Sequence, residues 1–395
     1  MEKPWHSIKL FEKNNDIEYE LESKKGEHVL SNDEITLHMH RNRINIYETT
    51  LSRDKNWEYY KKVVNPYELI YTQKKYDNFP ESIYSLKPLS RSYFKMIEIL
   101  DLIDFFGNVD NVKSAHVCEG PGGFIEALFD EASKKNKKIS GSVAMTLKSK
   151  QSNVPGWKRA FRFLKKNRCI RIIYGKDDTG NIMRPENQQY FINYCDKVNI
   201  FTADGGFDFS YDYDNQEQLI FPLLVASTKI GFEVLKKGGV FILKLFDFYH
   251  KSTTDLLYFL SCHFKEWTLY KPATSRPCNP EQYFIGKGFT GCSDETLDVM
   301  RLWCSILENQ SLDSLVKTEY CAFTKIINEL RKNSFKSQTE YLEKVFDMID
   351  KNNDDMIKKC LKNNEKTSYE WCMRFKVPVH SIEESHSDPP ISSLQ

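Results

Sequence analysis

No two of the ten cysteines stand in C-x-x-C spacing, which removes a zinc ribbon and a redox dithiol from consideration. They read as reduced, mostly buried thiols. No apolar run is long enough to span a bilayer, the longest being of the kind at 219–227. The opening residues, MEKPWHSIKLFEKNN, lack the apolar stretch of a signal peptide. An intracellular, reducing compartment and no membrane partner are therefore expected. The histidines, His38 and His40 among them, are scattered through the chain and suit core or surface roles, so no metal is expected. Internal repeats are absent, and so is net charge: 56 Lys and Arg against 55 Asp and Glu leave +1, which by itself argues against a polyanionic partner.

What is present changes that last inference. Across 395 residues, 40% hydrophobic and 28% charged, the composition is that of an ordinary soluble globular protein. A large core with substantial extensions, or two domains, fits the length. The charge is unevenly spread, however. From Ala132 to Lys176 there are fourteen Lys or Arg and no acid, with Trp157, Phe161 and Phe163 among the cations. A short charge run is usually a solvated helix face, but 45 residues without one carboxylate favour a surface for a polyanion.

Periodicity divides the chain further. Residues 1–60 are polar and mixed with no strong period, an N-terminal extension. The segment SRSYFKMIEILDLIDFF, within 65–106, places apolar residues three and four apart and reads as helix. From there to about residue 290, strands and helices alternate. Strands are expected at 113–118, 140–146, 169–174, 197–203, 239–245, 266–271 and 281–288, and helices at 122–133, 156–166, 186–195, 216–237 and 252–263. This is an α/β pattern, a largely parallel sheet covered on both faces, with ligands beyond the carboxyl ends of the strands. Residues 291–378 gain Leu, Glu, Lys and Asn at helical spacing and read as helices, and 379–395 read as a disordered tail.

Chemistry gathers at the strand ends. The segment KSAHVCEGPGGFIEALF runs a strand through a glycine-proline turn into a helix. Gly120, Gly122 and Gly123 leave backbone N–H groups and the positive helix end open to a ligand. Pro121 and the adjacent glycines depart from G-x-G-x-x-G, so a dinucleotide fingerprint is not indicated. The strand KVNIFTAD ends in Asp204 before Gly205 and Gly206, and GVFILKLF carries Lys244 in an otherwise apolar run, a costly place for an unpaired charge. Glu281 opens the final strand after a proline-marked turn. If that strand is antiparallel, its start meets the ends of the others. Each feature alone has an ordinary structural explanation. Together an acid, a base and a second acid beside a glycine loop form a candidate site.

The strings CEGPGGF, YGKDDTGNIMRPEN, ADGGFDFS, FILKLFD and KPATSRPCNPEQYF, in this order, resemble the FtsJ-type ribose 2′-O-methyltransferases, most closely the mRNA cap-specific group. The resemblance covers roughly 61–290 and implies a Rossmann-like S-adenosylmethionine-dependent methyltransferase sheet, mostly parallel with one antiparallel strand. It places the family's Lys-Asp-Lys-Glu tetrad on Lys95, Asp204, Lys244 and Glu281. It also puts S-adenosylmethionine on Cys118, Glu119, Gly120, Pro121, Gly122, Gly123 and Phe124, with Ser90, Asp177 and Asp204. Ser90 stands where the family more often has Asn, and Glu119 where it often has a small residue. Lys61, Asn215 and Asn279 are implied as RNA contacts. The activity implied is methyl transfer to the first transcribed nucleotide of capped mRNA; another RNA substrate, or a non-catalytic RNA-binding subunit, are the alternatives. A monomer with capped RNA as partner, and other capping or transcription machinery as further partners, is expected. For Lys244 to serve as base its pKa must fall, and burial together with the like charge of Lys95 is expected to lower it, with Asp204 and Glu281 partly opposing.

Overall fold

The computed structural model describes residues 9–14, 17–20, 28–52, 54–72, 79–107, 109–149, 154–206 and 215–380. Of the expected tail 379–395, residues 381–395 lie outside the described residues, as do Lys150 and the FDFS part of ADGGFDFS, whereas its first two residues are ordered: Val379 bridges Tyr84 and His380 N donates to Ile83 O at 3.0 Å. In chain order come β1 (Phe11–Glu12), α1 (Asn32–Thr50), α2 (Trp57–Val64), α3 (Ser92–Leu102), β2 (Asn111–Val117), α4 (Gly123–Lys134) and β3 (Lys138–Met145). Next are α5 (Phe161–Lys166), β4 (Ile170–Ile173), α6 (Pro185–Tyr194), β5 (Val198–Ala203), α7 (Gln216–Val234) and β6 (Leu235–Leu245). The rest are α8 (Lys251–Ser261), β7 (Phe264–Tyr270), β8 (Gln282–Phe289), α9 (Asp294–Leu307), α10 (Cys321–Lys351) and α11 (Asp354–Arg374).

The strands form one sheet of order β1-β7-β8-β6-β5-β2-β3-β4. Pairs β6–β5, β5–β2, β2–β3 and β3–β4 are parallel, and β8 runs antiparallel to both β6 and β7. The two-residue β1 adds a second reversed strand, antiparallel to β7. Reversal of β8 is what matters for the site: its start lies beside the end of β6, with Lys244 opposite Tyr283 and Leu245 opposite Gln282.

Both faces of the sheet are covered, so its central strands are buried along their length; all six residues of β5 are buried, including Asn199 and Thr202. Alternate residues of β6 serve opposite cores. Phe241 joins Phe201, Phe232, Phe264, Trp267 and Trp303 on one face, while Ile242 joins Phe94, Ile97, Leu128, Ile285 and Trp371 on the other. Trp303 comes from α9 and Trp371 from α11, so the C-terminal helices complete the cores of the sheet. His116 is a core histidine. It bonds Thr202 Oγ1 at 2.7 Å and Ser114 Oγ at 2.9 Å, and burial pushes its pKa down to about 3, so it stays neutral.

Two expectations are corrected. Helix α7 ends at Val234 and not near 237, because the chain turns directly into β6; the extra strand residues are fitted by a register shift between Val198 and Ile200, with Gly238 at φ +80°. Within the aperiodic N-terminal stretch there is a 19-residue helix, α1. Its amphipathicity is weak, but its start was written locally: Ser31 and Glu34 form a capping box, each side chain bonding the other's backbone N–H.

Candidate active site

Four side chains from four different elements converge at the carboxyl edge of the sheet. Lys95 comes from the first turn of α3, Asp204 follows β5, Lys244 lies one residue before the end of β6, and Glu281 immediately precedes β8. They meet as two ion pairs, Lys95 Nζ to Glu281 Oε1 at 2.5 Å and Lys244 Nζ to Asp204 Oδ1 at 3.3 Å. All four are only 11–14% exposed, so solvent screens these charges weakly. Gly206 keeps the approach to Lys244 narrow but open, since a Cβ there would lie 3.3 Å from Nζ.

The charges shape one another. Burial pushes the Glu281 carboxyl up, but Lys95, Lys244 and Lys271 outweigh it and hold it down at about 2. For Lys244 the expected downward shift is not found. Burial does push its ammonium toward neutrality, but Asp204, Glu281 and Glu119 together exceed that effect and raise the pKa above 10.5. Lys95, expected to repel it, is neutralised by its own contact with Glu281. The resting Lys244 therefore keeps its proton.

Neighbouring side chains fix the quartet. Tyr283 donates its hydroxyl to Asp204 Oδ1 at 2.9 Å, and Ser275 donates to Glu281 Oε1 at 3.0 Å. Tyr283 was legible as the residue two beyond Glu281 and so on the same face of a strand. Lys271 gave no such signal. Its ammonium bonds Asn279 O at 2.7 Å, Asn279 Oδ1 at 3.0 Å and Glu281 O at 2.9 Å, pinning the loop before β8, and burial pulls its pKa down to about 8. From α3, one turn after Lys95, Glu98 accepts from Tyr270 OH at 2.5 Å, Ala273 N at 2.7 Å, Thr274 N at 2.9 Å and Thr274 Oγ1 at 2.7 Å. One helix thus supplies a site lysine and holds the loop that carries its partner.

The glycine loop adjoins this cluster. Gly122 has φ +105°, a left-handed conformation that only glycine adopts readily, and it precedes α4. Ser90 is packed on the loop: a Cβ on Gly123 would fall 2.2 Å from its Oγ. Phe124 N donates to Glu119 Oε1 at 2.8 Å, while Glu119 Oε2 is buried with no hydrogen bond of ordinary geometry among the described residues, Thr202 being the nearby hydroxyl that favours its charged form. Burial and the charge of Asp204 raise the Glu119 pKa well above the usual carboxylate range. Burial also raises the Cys118 thiol to about 12, making it an unreactive wall of the loop. Asp177, after β4, accepts from Thr179 N and Oγ1 at 3.0 and 2.7 Å, from Asn187 Nδ2 at 2.8 Å and from Arg184, bonds that organise the 177–187 turn and hold its pKa below normal. Lys61 on α2 pairs with Glu58, and its charge reaches Cys278 of the loop before β8, where it favours the thiolate against the effect of burial. Asn215 opens α7 at the exposed end of that helix.

The sequence profile of the FtsJ-like methyltransferases matches residues 88–289, just over half of the chain and the whole span that carries this cluster. The chain belongs to the FtsJ-like methyltransferase family. Among curated relatives it is similar to the cap-specific mRNA (nucleoside-2′-O-)-methyltransferase 1 of Dictyostelium discoideum, 31% identical over 248 residues, 55% of this chain and 32% of that protein. The Homo sapiens protein of the same name is 33% identical over 195 residues, 47% of this chain and 22% of its own length. The matches therefore span a third or less of these relatives. A solved ribosomal RNA methyltransferase from Plasmodium falciparum, described as putative, aligns over 52% of this chain with TM-score 0.37 and 18% identity. No helix among the described residues is long and apolar enough to cross a membrane.

Proposed function

We propose that this FtsJ-like protein transfers a methyl group from S-adenosylmethionine to the ribose 2′-oxygen of the first transcribed nucleotide of capped mRNA. The observation that carries this reading is the pairing of Lys95 with Glu281 and of Lys244 with Asp204 in one weakly hydrated site beside the glycine loop. The residues present fit the cofactor. Glu119 Oε2 is a buried acceptor with no well-formed hydrogen bond among the described residues, suited to an ammonium such as that of the methionine end, and an adjacent cation would return this carboxyl to its charged form. Residues 118–124, with Ser90, would hold that end, and Asp177 the nucleoside end. When bound, the cofactor supplies the methyl group and a sulfonium charge.

The chain's own groups do the rest. A ribose hydroxyl is far too weak an acid to ionise unaided near neutral pH, so a base must take its proton as the new bond forms. Lys244 Nζ is that base. Asp204 and Glu281 favour its protonated form, which strengthens it as a proton acceptor once it has been emptied and holds the ammonium that results. Emptying it requires a further positive charge at the site, since the resting pKa is raised. Lys95, fixed by Glu281, positions the hydroxyl oxygen as a hydrogen-bond donor. Lys61, Asn215 and Asn279 line the approach of the capped end. The reading implies an intracellular place in RNA processing, a monomer, and capping or transcription machinery as further partners.

The test is methyl incorporation into capped and uncapped versions of one short RNA. Labelling of the capped RNA alone is expected. Equal labelling of both would favour a different RNA substrate, and clear binding without labelling would favour a non-catalytic subunit.

A further inference from the structure

The long acid-free segment is not used by the site, and the structure separates its parts. Three of its cations are engaged by acids outside it, Lys134 by Glu131 and Lys148 by Asp178 at 2.6 Å, and Lys137 by Asp110 at 2.5 Å. Two of its aromatics are structural: Trp157 is buried, and Phe163 stacks edge-on against Phe129. Of the exposed cations that remain, Lys135, Lys138, Arg168, Arg171 and Lys176 are spread along the segment, and five others form one continuous ridge. Lys158 and Arg159 lie on the 3₁₀ turn Trp157–Ala160, and Arg162, Lys165 and Lys166 on α5, which follows it without a break. All five are exposed and, among the described residues, none has a carboxylate within ion-pair distance. Between them Phe161 stands 68% exposed.

The ridge is rooted on the cofactor loop. A Cβ on Gly122 would lie 3.2 Å from the Trp157 ring, and one on Gly120 would lie 2.3 Å from the carbonyl oxygen of Pro155. The 155–157 segment is therefore seated directly against the turn, and the cations begin at the next residue. Five unpaired cations, with a solvent-exposed ring among them, match a single-stranded nucleic acid better than an acidic peptide, because a ring offers a stacking platform that every base can use.

We infer that this ridge binds the phosphates and one base of the single-stranded RNA body beyond the nucleotide that is methylated. The inference rests on the methyl-transfer reading for its orientation, but the binding itself can be measured without turnover. The variant combining Lys158→Ser, Arg159→Ser, Arg162→Ser and Lys166→Ser changes exposed side chains only. In fluorescence anisotropy with an uncapped RNA of tens of nucleotides, its plot of log affinity against log salt is expected to flatten by about 3, four phosphates at about 0.7 each. Phe161→Ala is expected to weaken binding about tenfold while leaving that slope unchanged. In transfer assays the parent chain should show a lower KM for a long capped RNA than for one of a few nucleotides. The fourfold variant should lose that advantage and keep the short-RNA kcat and KM.

An unchanged salt slope, or a retained length advantage, would overturn the inference. So would displacement of polyglutamate but not RNA by the same substitutions, which would make the ridge a dock for an acidic protein. Salt-dependent RNA binding that the variant loses, with no transfer by the parent chain to any RNA, would uphold the ridge and remove the methyl-transfer reading.

Discussion

Lys271 is the group whose removal separates positioning from chemistry. Lys271→Met keeps the length and apolar stem of the side chain and deletes the ammonium that bonds Asn279 O, Asn279 Oδ1 and Glu281 O at 2.7, 3.0 and 2.9 Å. Hydrogen bonds to a charged donor contribute about 1.5 kcal/mol or more each, so the three together are worth at least about 4–5 kcal/mol. Burial opposes this: the fall from 10.5 to about 8 corresponds to about 3 kcal/mol at neutral pH. The remainder, about 1–2 kcal/mol, is a modest loss of stability. The same loosening at Glu281 should lower kcat about tenfold, given that about 1.4 kcal/mol is a factor of ten in rate. The sign of the pH effect follows from linkage. The folded pKa lies below the unfolded one, so between them the unfolded chain binds more protons and this group's contribution to stability grows with pH, staying level at its neutral-pH value below about 8 and reaching its maximum above 10.5. From about pH 8 to about 9.5 the parent chain should gain about 1.5 kcal/mol relative to the variant in urea unfolding. Parallel stability curves over that range, or a variant with unchanged kcat, would refute the reasoning.

Lys244→Ala is expected to abolish methyl transfer while cofactor affinity, measured by calorimetry, stays within a few fold; substantial residual turnover would show that another group takes the proton. Because the free chain holds Lys244 above its ordinary value, kcat/KM for the cofactor, which reports the free enzyme, should climb about tenfold per unit between about pH 7 and 9. A profile flat over that interval would remove Lys244 as a base that starts from its ammonium form. Glu98→Gln places an amide among donors at 2.5–3.2 Å from Tyr270, Ala273, Thr274 and Trp371, and buried donors left unpaired cost about 1–3 kcal/mol each. A loss of about 3 kcal/mol in unfolding free energy is expected, with transfer reduced through the loop that carries Glu281; unchanged stability would mean water replaces the carboxylate.

Where function was readable in the sequence, it was so because local rules and the sheet's topology agree. Alternating strands and helices imply a parallel sheet, parallel sheets place ligands at their carboxyl edge, and Asp204 and Lys244 stand at strand ends whatever the details of packing. Glu281 needed one more condition, the reversal of β8, and β8 is reversed. Tyr283 follows from the two-residue period of the same strand. Residues whose role depends on loops folding back were not readable: Lys271 meets Glu281 ten positions away, and Glu98 meets Thr274 across 176. Helix α1 escaped because its apolar stripe is weak, although Ser31 and Glu34 mark its start.

The charge state of Lys244 was misjudged for a different reason, and it bears on mechanism. Composition shows which charges exist, not which of them neutralise each other. With Lys95 bound to Glu281 at 2.5 Å, the cation expected to repel Lys244 has already been countered, and the acids prevail over burial. A site built this way holds Lys244 in its protonated form. On the proposed reading, a further positive charge at the site, such as the cofactor's sulfonium, would push Lys244 back toward its neutral form and so tie proton abstraction to cofactor binding.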